Sequence, residues 1–424
     1  MDTQFFTIDP RLQTLSDEAI TAAKAAFDWI DKVTEYNQQK VLSAFIRHKV
    51  SESHFASTTG YGYGDRGRDA LEEVFADVMG AEDALVRHSI LCGTHAITLA
   101  LFGVLRPGDT LLAATGKPYD TLIGVIGADK PSDGSLAEYG IGYKEVPLVN
   151  GRPDLDGIAS ALRADSAIRM VHIQRSRGYD LRPSLSVAAI GEIIKTVRAV
   201  RADAVVFVDN CYGEFVETIE PTAVGADLMA GSLIKNPGGG IAENGGYICG
   251  RRDLVEQCSY RMSTPGLGRE VGASLGHNRS LFMGLFHAPH VVGEALKTAV
   301  FAASLFERLG YRCSPTADEV RADIIQAICL KDSDALIAFC RGIQSGAPVD
   351  AYVTPEPWDM PGYDNQVIMA AGAFTLGSSI ELSADAPLRD PFAVYMQGGL
   401  NFHSGKIGVL LAAQTMLGNG LLNL

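Results

Sequence analysis

Two short stretches of sequence decide the fold, Val205-Val-Phe-Val-Asp209 and Ser232-Leu-Ile-Lys-Asn-Pro-Gly-Gly-Gly240. The first is a continuous apolar run that ends in a carboxylate, which is typical of a strand buried in a parallel sheet. The second places Lys235 in a small, polar, glycine-rich loop further along the chain. An acid at the end of a buried strand, followed by a lysine in such a loop, indicates a site for chemistry.

Pyridoxal 5'-phosphate (PLP) is a cofactor that uses such a pair of residues. Its lysine forms a Schiff base, and a carboxylate keeps the pyridine nitrogen protonated so that the ring can accept electrons. The alternative is that Lys235 is a surface lysine in a turn and that Asp209 caps the next helix, since glycine-rich turns are common. Other residues of the chain are needed to distinguish these two interpretations of Lys235 and Asp209.

Outward from these stretches, short apolar runs alternate with helical patterns. The runs that predict strands are 84–87, 109–114, 170–174, 205–208 and 245–250, and the predicted helices start near Gly93, Tyr119 and Ser186. This alternation predicts an α/β fold with a mainly parallel sheet covered on both faces. Ligands of such sheets lie beyond the carboxyl ends of the strands.

The pattern predicts three regions along the chain. Residues 1–57 form an N-terminal helical arm, with helical spacing of apolar residues from 16 to 50. Residues 58–284 form the large PLP-binding domain. Residues 285–424 form a connecting helix, with apolar positions from 285 to 305, and a smaller C-terminal α+β domain. The C-terminal stretch 407–424 is interpreted as a buried helix.

Four residues have the chemistry to hold a phosphorylated, planar cofactor. Gly93 and Thr94 start a helix, where free backbone N–H groups and the helix dipole favour a phosphate. Ser232 precedes Lys235 closely enough for its hydroxyl to reach the same phosphate, and the ring of Tyr119 could stack on the cofactor. Each has an ordinary alternative, a plain helix start or a half-buried tyrosine.

Arg175 and Ser176 follow the predicted strand that ends at residue 174. Either could bond the cofactor's phenolic oxygen or the substrate. Alternatively, Arg175 caps a helix or forms a surface ion pair. Asn236, beside Lys235, could contact substrate or simply turn the chain.

Composition narrows the class of protein. The 424 residues are 47% hydrophobic and carry a net charge of −14, which argues against nucleic acid or an anionic membrane as the main partner. The seven cysteines have irregular spacing and no CxxC pair, so we expect reduced thiols and no metal site. No signal peptide or membrane span is evident, so a cytoplasmic protein is expected.

The chain resembles the fold-type I PLP enzymes of Cys/Met metabolism, and most closely the methionine γ-lyase-like branch labelled aluminium-resistance protein. The stretches that carry the resemblance are Gly60-Tyr-Gly-Tyr-Gly-Asp-Arg-Gly-Arg68, Gly93-Thr-His-Ala-Ile97, Pro118-Tyr-Asp-Thr-Leu122, Ile173-Gln-Arg-Ser-Arg-Gly-Tyr179, 232–240 and Ser378-Ser-Ile-Glu-Leu-Ser-Ala-Asp-Ala-Pro-Leu-Arg389. The resemblance implies an aspartate aminotransferase-like fold. It also implies Lys235 as the Schiff-base lysine and Asp209 as the partner of the pyridine nitrogen.

The resemblance further implies that Gly93, Thr94 and Ser232 surround the phosphate and that Tyr119 stacks on the ring. In related enzymes a tyrosine and an arginine from a neighbouring subunit complete the phosphate site, and a homotetramer with active sites between subunits is implied. Here the matching residues are Tyr61 or Tyr63, together with Arg68. Arg389 is the candidate for the substrate carboxylate, because an arginine fork binds that group with two hydrogen bonds.

The leading hypothesis is a PLP-dependent carbon–sulfur lyase. It would act on a methionine-, cystathionine- or cysteine-type amino acid, with Lys235 as general base and Lys235 or Tyr119 as a second proton carrier. γ-Replacement, as in a cystathionine synthase, shares the first steps and stays open, as does a non-catalytic protein on the same fold. A nucleotide-binding oxidoreductase is disfavoured because no G-x-G-x-x-G follows the early strands.

Overall fold

A computed structural model describes residues 5–130, 132–360 and 365–424. The chain divides into two compact units: the central unit, Asn37–His287, and the terminal unit, which combines residues 1–36 with Ala288–Leu424. The sequence suggested boundaries after residues 57 and 284, whereas these divisions fall within two helices, α2 (Lys24–Arg47) and α9 (Asn278–Arg308).

The central unit is built on a seven-stranded sheet. Its strands are β1 (Asp83–Arg87), β2 (Thr110–Ala113), β3 (Gly142–Glu145), β4 (Ile168–Gln174), β5 (Val205–Asp209), β6 (Leu228–Ser232) and β7 (Gly246–Gly250). They lie in the order β1-β7-β6-β5-β4-β2-β3. β3, β2, β4, β5 and β6 pair in parallel, and β7 is antiparallel to both β6 and β1. The prediction of a mainly parallel sheet is confirmed.

The central strands are buried because their sequences are apolar on both faces. Every residue of β5 is buried, as expected for an inner strand of a parallel sheet. On one face, Phe207, Leu228 and Ala230 pack with apolar residues of α4 (Gly93–Val104) and α8 (Arg252–Met262). The other helices of this unit are α3 (Arg66–Met79), α5 (Asp120–Ile126), α6 (Leu155–Ala164) and α7 (Val187–Val200).

The terminal unit contains a separate antiparallel sheet. Its strands are β8 (Arg312–Ser314), β9 (Gln326–Cys329), β10 (Val367–Ala370), β11 (Ser383–Pro387) and β12 (Ala393–Gln397), in the order β10-β11-β12-β9-β8. Its helices include α1 (Pro10–Ala22), α10 (Ser333–Ser345) and α11 (Phe402–Gly418). Phe301, Phe306 and Phe339 lie in its apolar core.

The structure defines the helix boundaries in the N-terminal part of the chain. The helical arm consists of two helices, since α1 ends at Ala22 and α2 begins at Lys24. α3 begins at Arg66, because the side chain of Asp65 accepts hydrogen bonds from the first-turn amides and caps the helix. No helix within the described residues is long and apolar enough to cross a membrane.

Candidate active site

The start of α4 lies against the ends of β5 and β6. A Cβ atom added to Gly93 would lie 3.1 Å from Cys211 Sγ and 3.4 Å from Ser232 Cβ. Such contacts are tighter than most real Cβ contacts, so glycine permits this close approach. The three segments therefore form one site at the carboxyl ends of the parallel strands, where the fold places ligands.

Lys235 lies in this site, among acidic groups. Its Nζ is 3.9 Å from the centre of the Tyr212 ring, a distance at which an ammonium is attracted to the ring face. Burial works to lower the pKa of Lys235, but the negative charges available on Cys211, Tyr212 and Asp209 outweigh it and raise that pKa above its usual range. The lysine amine thus interacts electrostatically with the acid at the end of β5.

Asp209 ends β5 as a buried carboxyl group that interacts with Cys211, Lys235 and Arg182. Its Oδ1 accepts the backbone N–H of Cys211 at 3.1 Å. Burial raises the pKa of Asp209, while the positive charge of Lys235 opposes the shift. A buried carboxyl group in this state favours a cationic partner, and a protonated pyridine nitrogen is such a partner.

Tyr119 and Thr94 are joined at the start of α4. Their hydroxyl oxygens are 3.0 Å apart, and the backbone N–H of Tyr119 donates to Gln174 Oε1 at 2.9 Å. Burial and the nearby charge of Asp209 raise the pKa of the Tyr119 phenol, so it stays protonated at neutral pH. The structure therefore brings Tyr119 beside the same group of residues as Lys235.

Ser232 supplies a buried hydroxyl whose hydrogen-bonding capacity is unused. Its Oγ has no hydrogen-bond partner in the part of the chain that the structure describes, although the residue is only 1% exposed. A buried hydroxyl left in this way carries a cost and suggests a ligand. It lies beside the N-terminus of α4, whose cap residue, Cys92, makes no side-chain hydrogen bond to the helix. This combination fits a phosphate group.

Arg175 has a different environment from the one that the sequence suggested. Its side chain is fully buried and donates to Asn210 Oδ1 at 2.8 Å, to Glu217 Oε1 at 2.8 Å and to the carbonyl oxygen of Leu185 at 3.3 Å. A Cβ on Gly213 would lie 2.4 Å from this side chain. These contacts commit Arg175 to the scaffold, and they do not support the proposed contact with cofactor or substrate.

Ser176 follows the end of β4 and is buried. Its carbonyl oxygen accepts a hydrogen bond from Gln174 Nε2 at 3.1 Å and another from Arg182. Gln174 also accepts the Tyr119 amide, and it is paired in register with Asp209 across β4 and β5. Ser176 thus braces the glutamine that holds Tyr119.

The loop before α3 presents two tyrosines to the surface. Tyr61 and Tyr63 are 71% and 59% exposed, and their ring centres are 5.5 Å apart in a stacked arrangement. Arg68 is buried below them and donates to the carbonyl oxygens of Gly62 and Gly272 at 2.9 and 3.0 Å. Arg68 therefore holds the loop in place, while the tyrosines are available to another molecule.

Arg389 belongs to the terminal unit. It follows β11, its side chain is exposed, and its backbone N–H donates to the carbonyl oxygen of Pro387 at 2.9 Å. Its role as the substrate arginine stays a prediction.

Sequence reasoning missed Tyr212, Cys211 and Gln174. All three lie near residues that the sequence did identify: Cys211 and Tyr212 follow Asp209 by two and three residues, and Gln174 directly precedes Arg175. Tyr212 adopts a positive φ of 71°, which is rare for an aromatic residue and is often found at functional sites. Its position after the strand-end acid was the available signal, but its ring orientation depends on a turn that no local pattern reveals.

The fold and these residues define the class, an α/β enzyme fold of the type I PLP-dependent group. The methionine gamma-lyase family model matches residues 12–417, and the chain belongs to this family.

Three relatives illustrate the range of similarity. The uncharacterized protein YnbB of Bacillus subtilis is 51% identical over 92% of each chain. A solved structure of a "carbon-sulfur lyase involved in aluminum resistance" from Clostridium novyi NT is 50% identical, covers 96% of each chain and has a TM-score of 0.93. The L-methionine gamma-lyase of Pseudomonas putida is 28% identical over 50% of this chain and 47% of its own length.

Proposed function

We propose that the protein is a PLP-dependent carbon–sulfur lyase that acts on a sulfur amino acid of the methionine, cystathionine or cysteine type. The observation that carries this proposal is the cluster of Lys235, buried Asp209 and the unsatisfied Ser232 hydroxyl beside the N-terminus of α4. Lysine, acid and phosphate cradle are the three protein groups that this cofactor needs. Membership of the methionine gamma-lyase family supports a sulfur amino acid as the substrate.

Each group in the cluster has a distinct role in binding. Ser232 Oγ and the first amides of α4, at Gly93 and Thr94, would bind the phosphate. Asp209 would hold the pyridine nitrogen as a cation, and Tyr119 would lie against the ring. When bound, the cofactor supplies an electron sink for the charge left by the departing α-proton.

Proton movement is the work of the chain's own side chains. Lys235 Nζ, as a free amine, would be the base that takes the α-proton of the substrate. Loss of a thiol from the γ-carbon needs a second proton movement at the β-carbon. Lys235 itself or the Tyr119 hydroxyl can carry it, and Tyr212, whose ring faces Lys235 Nζ, is a third candidate.

Tyr61 and Tyr63 fit a role in an oligomer. Their exposed, stacked rings stand on a loop that Arg68 holds in place, so they can reach a second copy of the chain at little cost in entropy. We propose a homotetramer in which one of them completes the phosphate site of the neighbouring subunit. Arg389 remains the proposed partner of the substrate carboxylate. Mixing two inactive variants, Lys235→Ala and Tyr63→Ala, should then restore part of the activity.

The decisive experiment is a product assay on the PLP-saturated protein. Methionine, homocysteine, cystathionine and cysteine are supplied separately, and 2-oxo acid, ammonia and thiol are measured. A lyase releases 2-oxo acid from at least one of them. A protein that binds the cofactor but releases 2-oxo acid from none of them contradicts the lyase assignment. A thioether formed only when a second thiol is added would favour γ-replacement.

A further inference from the structure

A second buried acid, Glu214, lies close to Lys235 and has no place in the chemistry above. It is fully buried, in the turn that follows Asp209. Its Oε1 accepts the hydroxyl of Tyr247 at 2.7 Å, and its backbone carbonyl accepts Asn236 Nδ2 at 3.0 Å. Asn236 is the residue after Lys235, so Glu214 is bonded to the segment that carries the lysine.

The sheet leaves room for the Glu214 carboxyl group. Gly231 in β6 pairs with Tyr247 in β7, and a Cβ on Gly231 would lie 2.6 Å from Glu214 Oε1. Successive residues of a strand point to opposite faces, so Gly231 and Ser232 face opposite sides of the sheet. The carboxyl group therefore lies behind β6, across the strand from the phosphate cradle.

Two acceptor atoms in this cluster are left unsatisfied. Glu214 Oε2 and Asn236 Oδ1 are both buried and have no hydrogen-bond partner within the described ranges. A proton on Glu214 Oε2 would make that oxygen a hydrogen-bond donor. The other unsatisfied atom, Asn236 Oδ1, is an acceptor, and it belongs to a residue that is already bonded to Glu214. A neutral carboxylic acid therefore suits this position better than a carboxylate.

Electrostatics agree with this assignment. Burial raises the pKa of Glu214 to about 8, and the charge of Glu220 adds to the shift. The Tyr247 hydrogen bond and the charge of Lys235 act in the opposite direction. The ionisable groups that interact with Glu214 from the surrounding segments are Cys211 and Glu220 after β5, Lys235 after β6, and Tyr247 and Cys249 in β7.

We propose that Glu214 is a positioning residue for Lys235, a carboxylic acid that is neutral at neutral pH and links Tyr247 to the Asn236 segment. The proposal rests on the proposed function for its catalytic meaning, since it concerns the lysine of that site. Its physical content, a coupling between Glu214 and Lys235, exists in the protein with or without cofactor.

The first test uses cofactor-free protein. The folded-state pKa of Glu214 is raised above its unfolded value, so the fold takes up a proton between pH about 4.5 and about 8. This contribution to stability is full below the unfolded value and is lost as pH rises through 8. The Tm of Glu214→Gln should therefore rise relative to wild type by several degrees between pH 5 and pH 8. Glu192→Gln, at an exposed site, should follow wild type.

Parallel pH curves for Glu214→Gln and wild type would overturn the neutral-acid assignment. Tyr247→Phe is the second variant, because it keeps the packing and removes the hydroxyl that lowers the pKa of Glu214. It should move the pH dependence to higher pH. A shift to lower pH would contradict the proposal.

The second test is a double-mutant cycle between Glu214→Gln and Lys235→Met in the same cofactor-free protein. Loss of the lysine charge should make Glu214 harder to ionise, so the stability effects of the two changes should not add. Additive effects at every pH from 5 to 9 would overturn the link to Lys235. This result is independent of any lyase activity, so it separates failure of this proposal from failure of the proposed function.

The third test reads the loaded protein by absorbance, without substrate. Above pH about 8, where Glu214 ionises, its carboxylate favours a positive charge on the lysine nitrogen, whereas the glutamine amide cannot supply that charge. The pH midpoint of the cofactor's absorbance change should thus be lower in Glu214→Gln than in wild type. Identical midpoints would contradict the proposal, and Glu214→Ala should show a larger loss of cofactor affinity than Glu214→Gln.

Discussion

Asp209 and Asn210 are neighbours in the chain, yet their side chains lie in opposite kinds of environment. The carboxyl group of Asp209 accepts one backbone amide, and its pKa is raised by burial. Asn210 accepts a hydrogen bond from Arg175 at 2.8 Å and donates to Glu220 Oε2 at 3.0 Å. Asp209 is hydrogen-bonded within its own turn, at Cys211, whereas Asn210 is bonded to charged side chains of other segments.

This difference shows which polar groups shape the protein and which are left for a ligand. Buried groups with matched partners fix the geometry of a turn, and their loss exposes unpaired charge. Buried groups with spare capacity cost stability, and a fold retains them where a ligand can repay that cost. Ser232 belongs to the second kind, and Arg175 belongs to the first.

The largest effect is expected from Lys235, which lies in the same candidate site as Asp209 and Ser232. Lys235→Ala should lower lyase turnover by about 1000-fold or more, because the chain then has neither its covalent anchor nor its base. Turnover and the absorbance of the bound cofactor measure the loss. Lys195→Ala, at an exposed position on α7, serves as the control. Retention of activity near wild type in Lys235→Ala would remove the basis for the proposed function.

Removal of the Arg175 guanidinium should instead destabilise the fold, because it disrupts the buried network of Arg175, Asn210 and Glu220. Arg175→Gln leaves Glu220 buried beside Asn210 without its cation, so we expect a loss of about 3–5 kcal/mol in the free energy of unfolding. Urea unfolding of cofactor-free protein measures this loss, and Arg163→Gln on the surface of α6 should change little. A variant that is stable but cannot bind cofactor would instead place Arg175 in the binding site.

Ser232→Ala should lower cofactor affinity without lowering the stability of the cofactor-free protein, whereas Arg175→Gln should lower that stability. The change removes a buried hydroxyl that has no hydrogen-bond partner among the described residues, so the cofactor-free protein should be as stable as wild type or slightly more stable. Cofactor affinity should fall about 10-fold, because one hydrogen bond to the phosphate is lost. Equilibrium titration measures the affinity, and Ser166→Ala is the exposed control. Unchanged affinity would argue against the phosphate cradle.

The smallest effect is expected from Asp65, a carboxylate with matched partners. Hydrogen bonds from the Arg68 amide and from Ser274, Thr58 and Asn278 outweigh burial and lower the pKa of Asp65 to about 2. Its stabilising contribution is present above the unfolded value of 3.8 and is lost as pH falls towards 2.

Asp65→Asn should therefore cost about 1 kcal/mol of unfolding free energy at pH 7, and less at pH 3. Denaturant unfolding at the two pH values, with Asp156→Asn on α6 as the exposed control, checks this difference. An equal cost at both pH values would mean that the charge on Asp65 does not contribute.

The sequence predicted the elements in which local pattern and burial agree. β5 is a continuous apolar run, and α4 starts at a glycine after a short strand, so both were located within a residue or two. β3 was missed because Gly142-Tyr-Lys-Glu145 lies at the sheet edge with little apolar character. β6 was missed because Leu228-Met-Ala-Gly-Ser232 ends in small residues that resemble a turn.

The residues of the candidate site also fall into those that the sequence identified and those that it did not. Lys235, Asp209 and Gly93 were identifiable because their chemistry requires those residue types at the ends of elements. The contacts of Arg175 and the ring position of Tyr212 were not identifiable, since both depend on partners distant in sequence or on an unusual backbone angle. The residue types and their order along the chain therefore predict the chemistry of the site better than they predict which of its charged side chains pair with one another.

The central claim is that Lys235 holds the cofactor covalently. The direct measurement is borohydride reduction of the PLP-loaded protein, followed by peptide mapping by mass spectrometry. We predict one phosphopyridoxyl group per chain, located on Lys235 in the peptide that contains Ser232. A label at another lysine, or no label after reduction of saturated protein, would contradict the account.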